Sequence, residues 1–278
     1  MVNSHQPVIL IPYDFTEVSR QALSHTISLA RMFGYSIKFL NILDPGTKRY
    51  MKANNISRKG LDDEMQKLCQ EVRSGSQVES DYLIQSSSIK GIKKIAGKLN
   101  VMFMVLGIDE PRHGASAIMK VVSKSPVPVF VIQQNSAICS CQKILFPLDD
   151  FHGSRQKTGW AARIAAKCNA SISIFSMNQK DPTKVYKHHK IIEQVQDFFD
   201  KKGIRHETKI AEGPMKAFPL EALRYGLEQK CDLFIIMYRP QKLFRSMDPI
   251  DRQFIFNESK IPVLCVNLRD VGVAQGFN

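Results

Sequence analysis

Continuous apolar runs alternate with amphipathic stretches along the whole chain. Pro7–Tyr13 (PVILIPY) has no charged or hydroxyl-bearing aliphatic position, as a strand buried on both faces requires. Thr16 then offers an N-cap with Glu17 behind it. Ala22, Leu23, Ile27, Leu29 and Ala30 recur at near-helical spacing until Gly34 ends the helix. Ser36–Leu43 reads as the next strand, Leu61–Val72 as a helix, Gln77–Ile84 as a strand, and Ser88–Leu99 as a basic helix with Ile89, Ile92 and Ile95 on one side. Val101–Leu106 (VMFMVL) is a fully apolar strand ending at Gly107, Ala115–Ser123 a short helix, and Val127–Ile132 the last strand of this series. The order is βαβαβαβαβ.

The same series then recurs. Strands are predicted at Lys143–Leu148, Ser171–Met177, Ile204–Ile210, Asp232–Met237 and Pro262–Asn267. The helices fall at Gly153–Lys167, Lys184–Lys202, Lys216–Lys230 and Asp251–Glu258. Identities accompany the pattern. Pro12, Asp14, Ser19-Arg20-Gln21 and Ser36 reappear as Pro147, Asp149, Ser154-Arg155-Gln156 and Ser171, all at an offset of 135 positions. Val127-Pro128-Val129 reappears as Ile261-Pro262-Val263 at an offset of 134. A shared beginning, a shared end and near-constant spacing imply a duplicated domain. The domains span 1–135 and 141–270, joined through Gln133–Cys141 (QQNSAICSC), with Asp270–Asn278 as a tail.

Strands alternating with helices build an α/β fold: a parallel sheet covered on both faces and, with right-handed crossovers, doubly wound. The chain is therefore expected to hold two such sandwiches in tandem. Ligands of these sheets sit at the carboxyl ends of strands where the winding reverses. A reversal between the first and fourth strands brings Asp14 and Gly107 to one crevice, and Asp149 and Tyr238 to its counterpart. Beside a ligand role, Asp14 and Asp149 have a structural reading as carboxylates stabilising the start of the following helix, worth about 0.3–1 kcal/mol.

Composition narrows the chemistry. No apolar run reaches the roughly 18 residues of a membrane helix, and no basic-then-apolar leader opens the chain, so a cytoplasmic location is expected. Of the six cysteines only Cys139 and Cys141 are close, as C-x-C; zinc sites use C-x2-C pairs with further Cys or His, so no metal is expected. The remaining thiols read as reduced core residues, and His188-His189, in a Lys-rich helix, reads as facing water. The net charge of +13 and pI near 9.5 favour anionic partners. The charge is spread along the chain, however, without the aromatic interleaving of a single-strand platform. A solvated basic surface is the first reading and nucleic-acid binding an alternative, with a steep salt dependence as its signature. No nucleophile elbow, H-E-x-x-H or intact P-loop is present, so no catalytic residue is assigned and the chain reads as a non-enzyme. Ser123-Lys124-Ser125 reads as a helix end.

Three groups of residues together resemble the universal stress protein family in its tandem two-domain form. They are Pro12–Ser19 (PYDFTEVS), Val101–Gly107 with Cys231–Met237, and Ser125–Val129 with Ser259–Val263. The resemblance implies five-stranded sheets of order 3-2-1-4-5, a fold like that of the adenine nucleotide alpha hydrolases, and association through the last strand. In this chain it implies pairing of the two domains through Val127 and Val129 with Val263 and Cys265, edge strands of a kind that invites pairing. Some members of the family bind ATP through glycines after strand four, a motif of the form G-x2-G-x9-G-S/T, with an aspartate after strand one. Here Asp14 and Gly107 match, Glu110 replaces the second glycine, and Gly114 and Ser116 stand only near the third position. In the second domain Tyr238 takes the first glycine's place, leaving Asp149 with a degenerate motif. The expectation is a stress-response binding or adaptor module without a cofactor. ATP binding through the N-terminal domain is the alternative, and self-association or an unidentified protein partner stays open.

Overall fold

The computed structural model describes residues 6–85, 95–96, 99–109, 121–149, 153–238 and 249–268. It divides into two compact units, Met1–Ile138 and Cys139–Asn278.

The first unit runs β1 (Val8–Pro12), α1 (Glu17–Phe33), β2 (Ser36–Ile42), α2 (Pro45–Ala53), α3 (Arg58–Ser76), β3 (Ser80–Gln85), β4 (Val101–Ile108) and β5 (Val129–Gln133). All strand pairs are parallel, in the order β3-β2-β1-β4-β5. The winding therefore reverses at β1, between β2 and β4. The apolar run of β1 explains its central place, because Ile9, Leu10 and Ile11 have no exposed surface. Helix α1 starts as its sequence demands: the Thr16 side chain accepts from the Ser19 amide, and Gly34 closes the helix at φ 70°.

The second unit runs β6 (Lys143–Leu148), a 3-10 turn at Ser154–Lys157, α4 (Thr158–Cys168), β7 (Ser171–Ser176), α5 (Pro182–Lys201), β8 (His206–Ile210), α6 (Phe218–Glu228), β9 (Leu233–Tyr238), α7 (Pro249–Ile255) and β10 (Val263–Asn267). Its sheet has the equivalent parallel order β8-β7-β6-β9-β10. Asn169 caps α4 in the left-handed region at φ 51°, at the position corresponding to Gly34. Asparagine is among the few residues that tolerate this conformation.

Three expectations change. Helix α2 was absent from the periodic pattern; Asp44 caps it by accepting from the Thr47 amide, and Pro45 opens it. Gln77 does not begin a strand: it ends α3 in the left-handed conformation, and β3 starts at Ser80. His188 does not face water. It is buried, with its ring nitrogen 2.8 Å from Ser176 Oγ, while His189 is exposed. Of the predicted helix at Ser88–Leu99, residues 95–96 are helical and Leu99 lies in a turn; of that at Ala115–Ser123, the described residues 121–123 are helical. Among the described residues, no helix is long and apolar enough to cross a membrane.

Candidate functional site

In the first unit the carboxyl end of β1 leads straight into the turn before α1. There Asp14 Oδ1 accepts from the Thr16 amide at 3.2 Å and from Thr16 Oγ1 at 2.6 Å. Thr16 Oγ1 in turn accepts from the Ser19 amide at 3.3 Å. This carboxylate is thus engaged at the helix start, which is the structural reading of Asp14. Phe15 adopts φ 66°, a costly conformation for a bulky residue. The turn stacks its ring on Tyr50 of α2, with centroids 5.0 Å apart and planes 2° from parallel. Tyr13 packs edge-on against Phe15, and burial raises its phenol above the ordinary value despite the opposing charge of Arg20. These aromatics gather beside Asp14 through a helix that the apolar pattern did not reveal; its signal was the Asp44-Pro45 start.

Gly107 lies inside β4, opposite Ile132 of β5. A Cβ added there would come within 2.6 Å of the Val18 carbonyl oxygen, 2.8 Å of Val18 Cγ1 and 3.2 Å of Ala22 Cβ. The bare backbone at this position is already in contact with α1. Glycine is required here for close helix–strand approach, independently of any ligand. Gly114 and Ser116 lie outside the described residues.

The counterpart in the second unit differs by one residue from the sequence expectation. Met237 stands opposite Val266 as Gly107 stands opposite Ile132. The registers of the inner strands agree: Leu10 faces Met104, and Leu145 faces Phe234. Met237, not Tyr238, therefore occupies the glycine's place. Gly107 lies within its strand, so counting from the end of the apolar run displaced the match by one.

The helix side has changed with it. Lys157 occupies the position of Ala22 at the offset of 135, and only 2% of it is exposed. Its Nζ donates to the Pro147 carbonyl and, at 3.4 Å, to Ser154 Oγ; it also stands 4.6 Å from the centroid of the Phe146 ring. Asp149 after β6 and Asp251 of α7, the latter 1% exposed, line the same cavity as Lys157, Met237 and Phe254. The cavity has room for about one water molecule. Tyr238 is buried beside it, and its phenol is pushed up to about 12, first by burial and then by the negative charge of Asp251. Lys157 and Asp251 were missed by the sequence reading. Their signals were a lysine at a position that is Ala22 in the other copy and an acid in the first turn of a Pro-initiated helix.

The pattern of the universal stress protein family matches residues 7–133. The N-terminal domain belongs to the universal stress protein family. The second unit repeats its strand order, and solved structures align across both. A universal stress protein from Archaeoglobus fulgidus is 14% identical with a TM-score of 0.74, covering 94% of this chain and 98% of that one. A functionally unknown protein from Pseudomonas aeruginosa is 14% identical with a TM-score of 0.63, covering 95% of this chain and 94% of its own. A putative universal stress protein from the same species is 15% identical with a TM-score of 0.62, with the same coverages. At these identities the likeness concerns the fold. No curated protein matches the sequence.

The remaining residues singled out in the sequence fall on the last strands. Val129 lies on β5 beside Met104, and Val127 precedes it. Val263 and Cys265 lie on β10 beside Phe234 and Ile236. Residues 121–124 are helical and Ser125 is not; Ser125 Oγ donates to the Val127 carbonyl at 2.6 Å, as suits a helix end. Among the described residues, no group of three His, Cys, Asp or Glu side chains is placed to hold a metal ion.

Proposed function

We propose that the chain is a non-catalytic, tandem universal stress protein that acts in the cytoplasm as a binding or adaptor module and does not use ATP. Family membership of the first domain supports the stress-response role. The observation that carries the nucleotide-free reading is Lys157. In the second domain the chain's own buried ammonium, held by the Pro147 carbonyl, lies beside Met237 where the first copy has Ala22 and Gly107. Asp149 and Asp251 border the same small cavity, and two carboxylates there oppose the entry of a polyphosphate.

Isothermal titration of the full chain with ATP and Mg²⁺ tests this. No heat of binding is expected at micromolar protein. Micromolar binding would overturn the reading; binding weakened by Asp14→Ala would replace it with an ATP sensor acting through the first domain. Asp14→Ala is the better probe, because any side chain at position 107 collides with α1.

The reading also includes association of the two domains through their last strands, around Val127, Val129, Val263 and Cys265. Its support is that β5 and β10 are each the final strand in their own domain's order. Cysteines introduced at Val127 or Val129 should crosslink to Cys265 on mild oxidation. Failure at both positions would count against this pairing.

A further inference from the structure

Three of the six cysteines converge where the chain enters the second domain. Cys139 and Cys141 precede β6, and Cys168 is the last residue of α4. Cys139 Sγ lies 3.2 Å from Cys141 Sγ, and the Cys168 thiol is close enough to Cys141 for each to shift the other's ionisation. The thiols thus form a chain with Cys141 in the middle.

The surroundings hold this arrangement in place. Asp232 accepts from the Lys143 amide at 3.0 Å, from the Gln142 amide at 3.1 Å and from Ser140 Oγ, so one carboxylate clamps the C-x-C segment. The Cys139 thiol donates to the Asp232 carbonyl at 3.4 Å. Gln142 Nε2 donates to the Cys168 carbonyl at 3.1 Å and ties the segment to the end of α4. Cys141 itself takes φ 53°, in the left-handed region. Sulfurs held in contact by such a frame need little movement to bond.

The three thiols are not equivalent. Cys168 is the most exposed of them, at 8%. The neighbouring Cys141 thiol holds Cys168 below the ordinary value, whereas Cys141 is pushed well above it, first by Cys139 and then by Cys168 and burial. The other cysteines are less reactive: burial raises Cys69 to about 11 and Cys231 to about 12, and Cys265 also rises.

We propose that Cys168, Cys141 and Cys139 form a peroxide-responsive oxidation site. Hydrogen peroxide oxidises Cys168 to a sulfenic acid: one peroxide oxygen is transferred to sulfur and the other leaves as water. The Cys141 thiol then attacks the Cys168 sulfur; its proton and the sulfenic hydroxyl leave as a second water, and the Cys141–Cys168 disulfide forms. The two electrons come from the two thiols and reduce the peroxide. Cys139 next attacks the Cys141 sulfur, forming a Cys139–Cys141 disulfide and returning Cys168 to the thiol. Either disulfide fixes the segment that leads into β6. This site is independent of the nucleotide reading.

The test treats the full chain with stoichiometric hydrogen peroxide, blocks free thiols with an alkylating reagent, and maps peptides by mass spectrometry without reduction. One intramolecular disulfide per chain that includes Cys141 is expected, with Cys69, Cys231 and Cys265 alkylated, and reduction with dithiothreitol should restore all six thiols. In Cys141→Ser, Cys168 should instead accumulate as sulfenic and then sulfinic acid. Cys141→Ala is measured alongside, and circular dichroism confirms that each variant is folded. The proposal fails if folded wild-type protein forms no disulfide, or if Cys168 over-oxidises equally fast with and without Cys141. It also fails if Cys69, Cys231 or Cys265 is oxidised first.

Discussion

Replacing Gly107 with alanine separates a packing glycine from a ligand-cradling one. The added methyl would lie 2.6 Å from the Val18 carbonyl oxygen, a backbone atom that cannot rotate away. Helix α1 must then move outward from β4 by roughly half an ångström, loosening contacts along its buried face. Overpacking of this kind costs about 1–3 kcal/mol. Removing a glycine from a strand recovers about 0.5–1 kcal/mol of backbone entropy, so a net loss of about 1–2 kcal/mol is expected. Gly75 provides the control. It lies in α3 with nothing within 4 Å of its would-be Cβ, so Gly75→Ala should be neutral or stabilising by up to about 1 kcal/mol. Urea denaturation followed by circular dichroism reads both, while Trp160, the sole tryptophan, gives a separate fluorescence signal from the second domain. If Gly107→Ala is as well tolerated as Gly75→Ala, the packing explanation is wrong and the glycine must be there for another reason.

Two further outcomes concern the second domain. Lys157→Met keeps the length of the side chain but removes the ammonium from the Pro147 carbonyl, and should cost about 2–3 kcal/mol in urea denaturation; a loss below about 1 kcal/mol would show that the buried charge is not structural. Tyr238 has a folded pKa of about 12 against an ordinary 10.0, so folding favours its neutral form. Its contribution, at most about 2.7 kcal/mol for two pH units, is complete below pH 10 and fades as pH rises through 12. Tyr238→Phe should therefore flatten the loss of stability between pH 10 and 12, and an unchanged alkaline profile would contradict this.

The fold was legible because its central strands are apolar on both faces, and buried runs such as VILIP and VMFMVL leave no competing assignment. Helix α2 was not legible by periodicity: only Thr47 among its residues is buried, so it writes no apolar stripe, and only its Asp44-Pro45 start marks it. His188 misled for the opposite reason. In the Lys-rich first half of its helix, His188 looks like its exposed neighbours until Ser176 is brought beneath it. The candidate sites were legible as places more than as chemistry. The sequence located Asp14 and Asp149 at the right strand ends, but the engagement of Asp14 by Thr16 depends on three-dimensional contacts. The substitution of Met237 for Gly107 depends on strand register, which sequence spacing missed by a single position.

On the proposed nucleotide-free reading, the lysine inside the second domain has a consequence for signalling. A diffusible cofactor comes and goes with its concentration, and the protein that holds it becomes a meter of that concentration. A positive charge attached to the backbone has no dissociation equilibrium with the solution, so its occupancy is the same in a starved cell and a well-fed one. The two copies have thereby become unequal: whatever the first domain is able to sense, the second meets each condition with its cavity already furnished by its own chain.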